Sequence, residues 1–260
     1  MTETRFVQVD AFADRPFAGN PAAVMPLDAW LPDDVLQAIA MENNLSETAF
    51  TIPADGEEAD YELRWFTPTT EVVMCGHATL ASGHVLMTGG ILRFRTRNAG
   101  VLTVARDGDG YAMSLPAWAP SAKPLPRVVA ALGCDPVETL WHAQRYAIVL
   151  LASEAEVRAV EPDFGALARE GDLLTIVTAR GSDTDIVSRA FAPGAGIDED
   201  PVTGSAHAVL TPYWAERLGR TEFTAYQASR RGGHVACRLE GDRVVLGGKC
   251  VTVVEGVMRI

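Results

Sequence analysis

The sequence predicts an α/β (α+β) protein of two similar halves. Each half is expected to be a curved, mixed or antiparallel sheet around a central helix, the halves being related by a pseudo-two-fold axis. Three observations predict it. Apolar runs of strand length recur along the chain, broken by Gly, Pro and Asp. Few segments read as convincing helices, and two of these are apolar enough to be buried on most sides. One order of features occurs twice. Arg64-Trp65-Phe66-Thr67-Pro68, a loop, and a helix opening at Gly76-His77-Ala78 are matched by Ser188-Arg189-Ala190-Phe191-Ala192-Pro193, a longer loop, and a helix opening at Gly204-Ser205-Ala206.

The elements follow in order. Arg5 to Phe12 reads as a strand, then a Gly19-Asn20-Pro21 turn and a short apolar run at Ala22 to Met25. Pro32-Asp33-Asp34 opens a helix, since proline suits the first turn and early acids suit its positive dipole end. Val35, Leu36, Ile39 and Ala40 form its apolar stripe, and Asn43-Asn44 ends it before a strand that starts near Glu47. Tyr61 to Phe66 alternates as a strand, Ala78 to Met87 is the first buried helix, and Gly89-Gly90 closes it. Strands follow at Leu92 to Arg97, Val101 to Arg106 and Tyr111 to Leu115. The Pro-rich stretch Pro116 to Pro126 is the linker candidate, dividing the chain into halves at 1–117 and 118–250. Beyond it come a helix at Pro126 to Leu132 and strands at Thr139 to His142 and Arg145 to Ala152. A helix over Ser153 to Arg169 has Pro162 as its point of interruption. Strands at Leu173 to Ala179 and Ile186 to Phe191 precede an acidic loop, and a helix runs from Gly204 to Leu218, closed by Gly219. Strands finish the chain.

Composition narrows the function. The 260 residues carry 22 basic and 34 acidic side chains, a formal charge of −12. Such a field repels polyanions, so nucleic acid and anionic membrane surfaces are not expected partners. No apolar stretch approaches bilayer-spanning length, and the N-terminus shows no secretory pattern. Cys75, Cys134, Cys237 and Cys250 form no CxxC pair, and the expected compartment is the cytoplasm. His77, His84, His142, His207 and His234 show no ligand spacing, so no metal is expected. Glycine-rich nucleotide motifs and the Gly-x-Ser-x-Gly hydrolase elbow are missing from the sequence.

If both buried helices point their N-termini into one cleft, their unpaired backbone N–H groups form a holder for a carboxylate or phosphate. Four side chains cluster in sequence around these loops. His77 sits at the first helix start, where the dipole is expected to favour neutral imidazole; a capping or core histidine is the alternative. Asp200 closes the run Asp198-Glu199-Asp200 and otherwise reads as a solvated loop acid. Ser205 reads as a helix N-cap, a role compatible with ligand binding. Glu47 follows a helix stop in uncharged surroundings, where a partly desolvated carboxylate can shuttle protons; a capping or surface glutamate is the equal alternative.

Nearly end to end, the chain resembles the PhzF-like (phenazine biosynthesis-like) family, itself similar in fold to diaminopimelate epimerase and proline racemase. The resemblance rests on Gln8-Val9-Asp10-Ala11-Phe12 with Gly19-Asn20-Pro21, on Asn44-Leu45-Ser46-Glu47-Thr48-Ala49-Phe50, and on Arg64-Trp65-Phe66-Thr67-Pro68. Cys75-Gly76-His77-Ala78-Thr79-Leu80-Ala81, Glu199-Asp200-Pro201-Val202-Thr203-Gly204-Ser205-Ala206 and Gly247-Gly248-Lys249 complete it. It implies two diaminopimelate epimerase-like domains, with a C-terminal strand at about 251–260 packing back on the first. It also implies a substrate cleft between them, no cofactor, and a homodimer. Glu47 falls on the catalytic acid/base, His77 and Asp200 on the assisting pair, and Asn20, Gly76, Ala78, Gly204 and Ser205 on substrate-binding positions. The epimerases carry two thiol bases. Here Cys75 keeps the first, but Asp200 stands in the region of the second, and Tyr226-Gln227-Ala228 departs from the family where Gly usually follows Gln.

The expected activity is a cofactor-independent isomerisation that moves a proton at carbon in a small carboxylate-bearing substrate. Two alternatives stand beside it: a Cys75-dependent racemase or epimerase, and a non-catalytic binder of small acids.

Overall fold

The computed structural model describes residues 3–260, so the expected start of the first half at Met1 and Thr2 lies outside the described residues. The chain divides into two compact units, Met1–Ser114 with Gly247–Ile260, and Leu115–Leu246. Among the described residues no helix is long and apolar enough to cross a membrane.

The first unit runs β1 (Glu3–Ala11), β2 (Asn20–Pro26), α1 (Asp33–Asn43), β3 (Glu47–Pro53), β4 (Tyr61–Phe66), β5 (Glu71–Val72), α2 (Gly76–Leu86), β6 (Ile91–Thr96), β7 (Val101–Asp107) and β8 (Gly110–Pro116). Its sheet is mixed. β1 is antiparallel to β2, β2 parallel to β3, and β3 antiparallel to β4. β4 carries β5 antiparallel at one end and β6 parallel at the other, and β6, β7 and β8 continue antiparallel. Helix α2 packs against β1, β2, β3 and β7. Its first eight residues, Gly76 to Gly83, are all buried, which explains why they are all small, apolar or internally bonded. Thr79 and Ser82 make this possible by donating their hydroxyls to carbonyls one turn back, Cys75 O at 2.6 Å and Ala78 O at 2.8 Å. A second cluster joins Leu36, Ile39 and Ala40 of α1 to Met25, Phe50 and Phe66, with the two phenyl rings edge to face at 5.6 Å.

The second unit runs β9 (Ser121–Ala122), α3 (Pro126–Leu132), β10 (Glu138–His142), β11 (Tyr146–Leu150), α4 (Glu154–Ala159), α5 (Phe164–Ala168), β12 (Leu174–Arg180) and β13 (Ile186–Ala192). A 3-10 turn (Pro193–Ala195), β14 (Ile197–Asp200), α6 (Gly204–Leu218), β15 (Glu222–Gln227), β16 (Gly233–Glu240) and β17 (Arg243–Gly248) follow. Its pairing repeats that of the first. β10 is antiparallel to β11, β11 parallel to β12, and β12 antiparallel to β13. β13 then carries β14 antiparallel and β15 parallel, with β16 antiparallel to β15. Finally, β18 (Cys250–Arg259) returns to the first unit, antiparallel to β1.

The internal repeat extends to side-chain chemistry. Arg64 is bidentate to Glu71, both bonds at 2.8 Å, and lies over the Phe66 ring at 4.9 Å. Arg189 is bidentate to Glu199, at 2.7 and 3.1 Å, and lies over the Phe191 ring at 5.0 Å. Each pair staples the strand before a central helix to the short strand that leads into it. Thr79 in α2 and His207 in α6 both bond back to their helix's N-cap carbonyl, Cys75 O and Thr203 O.

Two expectations need correction, and a third is met. The acidic run is not a loop: Ile197 to Asp200 is strand β14, with Asp200 opposite Ala190, because Arg189 draws Glu199 into the sheet. The helix over Ser153 to Arg169 breaks where Pro162 was expected to interrupt it, between Val160 and Asp163, with Ser153 capping the first short helix and Asp163 the second. The Pro-rich stretch is tied into the second unit. Ala117 N–H donates to Asp242 O, Trp118 N–H to Ala208 O and Lys123 N–H to Thr139 O. The Ala208 carbonyl is open to Trp118 because Pro212, one turn on, has no N–H to give it.

Candidate active site

Three features of the first unit bring its candidate side chains together. Asn44, at φ 48°, ends α1 in the left-handed region, and the chain turns at once into β3, whose first residue is Glu47. The parallel register sets Glu47 opposite Ala22, two residues into β2 from Asn20. Helix α2 begins against the same strands, with Cys75 as its N-cap and His77 in its first turn. Asn20 must follow Gly19, which turns at φ +63° and sits so close to the Ala11 carbonyl that a Cβ would come within 2.1 Å of it.

The result is a compact, buried set. Glu47 is 8% exposed, Cys75 6%, His77 4% and Asn20 fully enclosed. His77 Nε2 lies 3.0 Å from Glu47 Oε2, and Asn20 Nδ2 donates to His77 Nδ1 at 3.1 Å. Cys75 Sγ is 3.5 Å from Nδ1 and 4.0 Å from Nε2. Glu47 Oε2 is buried without a well-directed hydrogen bond, so its contact with the imidazole is one of charge and distance.

The sequence expectation for His77 is reversed. Burial alone would lower its pKa; the Cys75 sulfur and the Glu47 carboxylate outweigh burial and hold it well above the ordinary 6.5. Burial, reinforced by the Glu47 charge, pushes the Cys75 thiol up to about 11. Near neutral pH the thiol is therefore protonated, and Glu47 is the anion that favours imidazolium. A full charge at 3.0 Å overrides the roughly half charge of a helix end. The Asn20 amide as oriented serves a ring with a bare Nδ1, whereas a charged ring needs Oδ1 turned toward it. The two ring states thus correspond to two amide orientations.

In the second unit Thr203 is the N-cap of α6, and Ser205 lies inside the first turn, which corrects the capping role expected of Ser205. The Thr203 hydroxyl donates to Asp200 Oδ2 at 2.5 Å instead of capping the helix. Gln227, fully buried, accepts from Thr203 N–H at 2.9 Å and donates to Asp200 O at 2.8 Å and Thr203 Oγ1 at 3.1 Å. Ser205 hydrogen-bonds Tyr146, whose phenol burial pushes up in pKa. The Tyr146 ring packs at 5.6 Å on Trp118, which stacks on His142 at 5.8 Å. His207 donates Nδ1–H to Thr203 O, and burial lowers its pKa to about 4.

Both central helices share a further trait. Neither Cys75 nor Thr203 caps its helix with a side chain, and neither first turn holds an acid, whereas Ser153 and Asp163 cap the surface helices α4 and α5. Gly76, His77 and Ala78 in α2, and Gly204, Ser205 and Ala206 in α6, thus present backbone N–H groups with no side-chain cap, the local condition for anion binding.

Within the first unit the structure gathers Glu47, His77, Asn20, Gly76 and Ala78; within the second it gathers Asp200, Gly204 and Ser205. Sequence reasoning missed Gln227 and the Arg64–Glu71 and Arg189–Glu199 staples. An arginine two residues before each repeated phenylalanine was the available signal. Ligand-type atoms of Glu47, Cys75 and His77 lie within 4.8 Å of one another, with the sulfur nearer Nδ1 of the ring than the Nε2 that faces Glu47.

The profile of the family described as phenazine biosynthesis-like protein matches residues 9–256. An uncharacterized isomerase of Pseudomonas aeruginosa is 50% identical, with 99% of each chain covered. The crystal structure of a PhzF-family phenazine biosynthesis protein from Enterococcus faecalis superposes with a TM-score of 0.93 at 43% identity, covering 100% of both chains. A hydroxyproline epimerase from Agrobacterium vitis shares the fold at a TM-score of 0.61 and 11% identity, covering 98% of this chain and 92% of its own.

Proposed function

For this chain, which belongs to the phenazine biosynthesis-like family and has relatives named as isomerases, we propose a cofactor-independent isomerase that moves a proton at carbon in a small carboxylate-bearing substrate. The observation that carries this reading is the Glu47–His77 contact at 3.0 Å between two buried side chains.

Glu47 is the proposed general acid/base. Its Oε2 has one close polar neighbour, the His77 ring, which relays the proton or offsets the carboxylate charge as the reaction proceeds. His77 is held on its other side by Asn20, so the ring keeps its orientation while its protonation changes. The N–H groups of Gly76, His77 and Ala78, and of Gly204 and Ser205, are assigned to anionic oxygens of the substrate, with Ser205 Oγ adding a hydrogen bond. Asp200 is the proposed partner acid of the second unit, pinned through Thr203 and Gln227.

The Cys75-dependent racemase is the second reading, favoured by the 3.5 Å contact between Sγ and the His77 ring. Against it stands the thiol's pKa of about 11, which leaves little thiolate near neutral pH.

A direct trial is incubation of the protein with a panel of cyclic and amino carboxylic acids in deuterated water. The reading predicts deuterium at a carbon position of at least one acid, followed by mass spectrometry or NMR. Tight binding of a panel member with no exchange at any carbon would instead identify a binder.

A further inference from the structure

The two faces of the second unit's sheet carry different chemistry. On one face Tyr213 of α6 bonds Glu138, and Tyr146 bonds Ser205. Side chains alternate between the faces of a strand, so Trp141, opposite Ala147 in the antiparallel pairing of β10 and β11, points the other way. There it packs on the cluster that holds Val128 of α3 and Leu167 of α5. Beside it, on the sheet face away from α6, lies a cavity of about 470 Å³.

The cavity combines an apolar wall with an excess of positive charge. Leu125, Val128, Trp141 and Leu173 supply the wall, whereas Lys123, Arg127 and Arg145 stand with a single carboxylate, Glu170. In a chain of formal charge −12, such a local excess is the reverse of the average surface. Arg127 donates Nε and Nη2 to Glu170 Oε2 at 3.1 and 2.9 Å. Arg145 stands at φ 65°, in the left-handed region, and donates Nη2 to the Glu170 carbonyl at 3.3 Å and Nε to the Asp172 carbonyl. Both guanidiniums are thus fixed on one residue, and among the described residues Nη1 of each has no acceptor. Lys123 Nζ lies 4.1 Å over the Trp141 ring and has no carboxylate partner among the described residues.

We propose that this cavity binds a small aryl carboxylate, at a site separate from the start of α6. The carboxylate meets the Lys123 ammonium and the Nη1 donors of Arg127 and Arg145, and the ring covers Leu125, Val128, Leu173 and the edge of Trp141. A volume of about 470 Å³ lies within the range of small-ligand pockets. An inorganic anion would leave the apolar wall uncovered, and a neutral ring would leave the charged donors unpaired. The lining therefore selects a ligand that has both parts.

Titration with naphthoate, followed by NMR of the tryptophan indole N–H signals, tests the site without any substrate. One equivalent is expected to bind and to shift the Trp141 signal, which is identified by its loss in Trp141→Phe. Lys123→Gln combined with Arg127→Gln should weaken binding at least about tenfold. Both side chains are exposed, so the double variant keeps its fold. Naphthalene methanol, which lacks the charge, and inorganic phosphate, which lacks the ring, should each bind at least about tenfold more weakly than naphthoate. Ser205→Ala should leave the Trp141 shift unchanged. The proposal is overturned by a Trp141 signal that does not move in the wild type, or by unchanged affinity in the double variant. A shift that depends on Ser205, or a neutral or ringless analogue as tight as naphthoate, overturns it as well. Because the readout needs no turnover, its failure leaves the isomerase reading standing, and failure of that reading leaves this site standing.

Discussion

The Cys75 sulfur and the Glu47 carboxylate favour the charged form of His77, and that coupling bears on stability. With its native pKa well above 6.5, His77 binds its proton more tightly in the folded state. Its contribution to stability is complete below pH 6.5 and is lost as the pH rises through the native value. His207 acts in the opposite sense. Burial takes it to about 4, so between pH 6.5 and about 4 the unfolded chain gains a proton that the native state refuses, and stability falls as the pH falls. Urea midpoints should therefore peak near pH 6.5 in a profile with two limbs. Glu47→Gln should flatten the alkaline limb and leave the acid limb; an alkaline limb unchanged in that variant would show that Glu47 does not hold the His77 charge.

The elements carry the site through their ends, and there the repeated arginine staples matter most. Arg64 has a side chain only 2% exposed and binds Glu71 and Asp33, while Arg189 at 13% binds Glu199. Removing the carboxylate from a buried arginine costs about 3–5 kcal/mol; Glu199 keeps some water, so Glu199→Gln should cost about 2–3 kcal/mol by urea unfolding. It should also depress turnover beyond the stability loss, because Asp200 is the next residue on β14. Unaltered stability would mean the staple is ornamental. This scale also shows what the sequence made legible. Helices α3 and α6 were readable to the residue, since proline opens the first, and the second runs from Gly204 to a left-handed Gly219. Glu47 was readable as a carboxylate between a helix stop and a strand. Its pairing with His77 was not, because thirty residues separate them and only the β2–β3 register and the seating of α2 unite them. Strand β14 was hidden because its acids suggest solvent, and only the partner Arg189 makes them part of a sheet.

At the scale of the molecule, the formal charge of −12 opposes the acid that the uncapped helix ends are proposed to bind. Long-range repulsion is screened over about 8–10 Å at physiological salt, whereas contacts inside a dry site are screened much less. For an anionic substrate, kcat/KM should therefore rise as an inert salt is increased from low to physiological ionic strength, with kcat nearly constant. A fall over that range would mean that a local basic patch, not backbone dipoles, steers the substrate. The duplicated staples and back-bonded helix starts also repeat the same chemistry in the two units, and among the described residues the close carboxylate–imidazole pair, Glu47 with His77, belongs to the first. The proposed general acid/base therefore lies in the first unit, which fits one base working on one face of a carbon.

The central claim is that Glu47, not Cys75, moves the proton. Carbon-bound deuterium uptake in an exchanging acid, compared between Glu47→Gln and Cys75→Ala at matched fold and concentration, tests it most directly. The account predicts a loss of about 10²-fold or more in Glu47→Gln and a Cys75→Ala rate within about threefold of the wild type, since a protonated thiol contributes no base. Exchange that survives in Glu47→Gln, or disappears in Cys75→Ala, would contradict it.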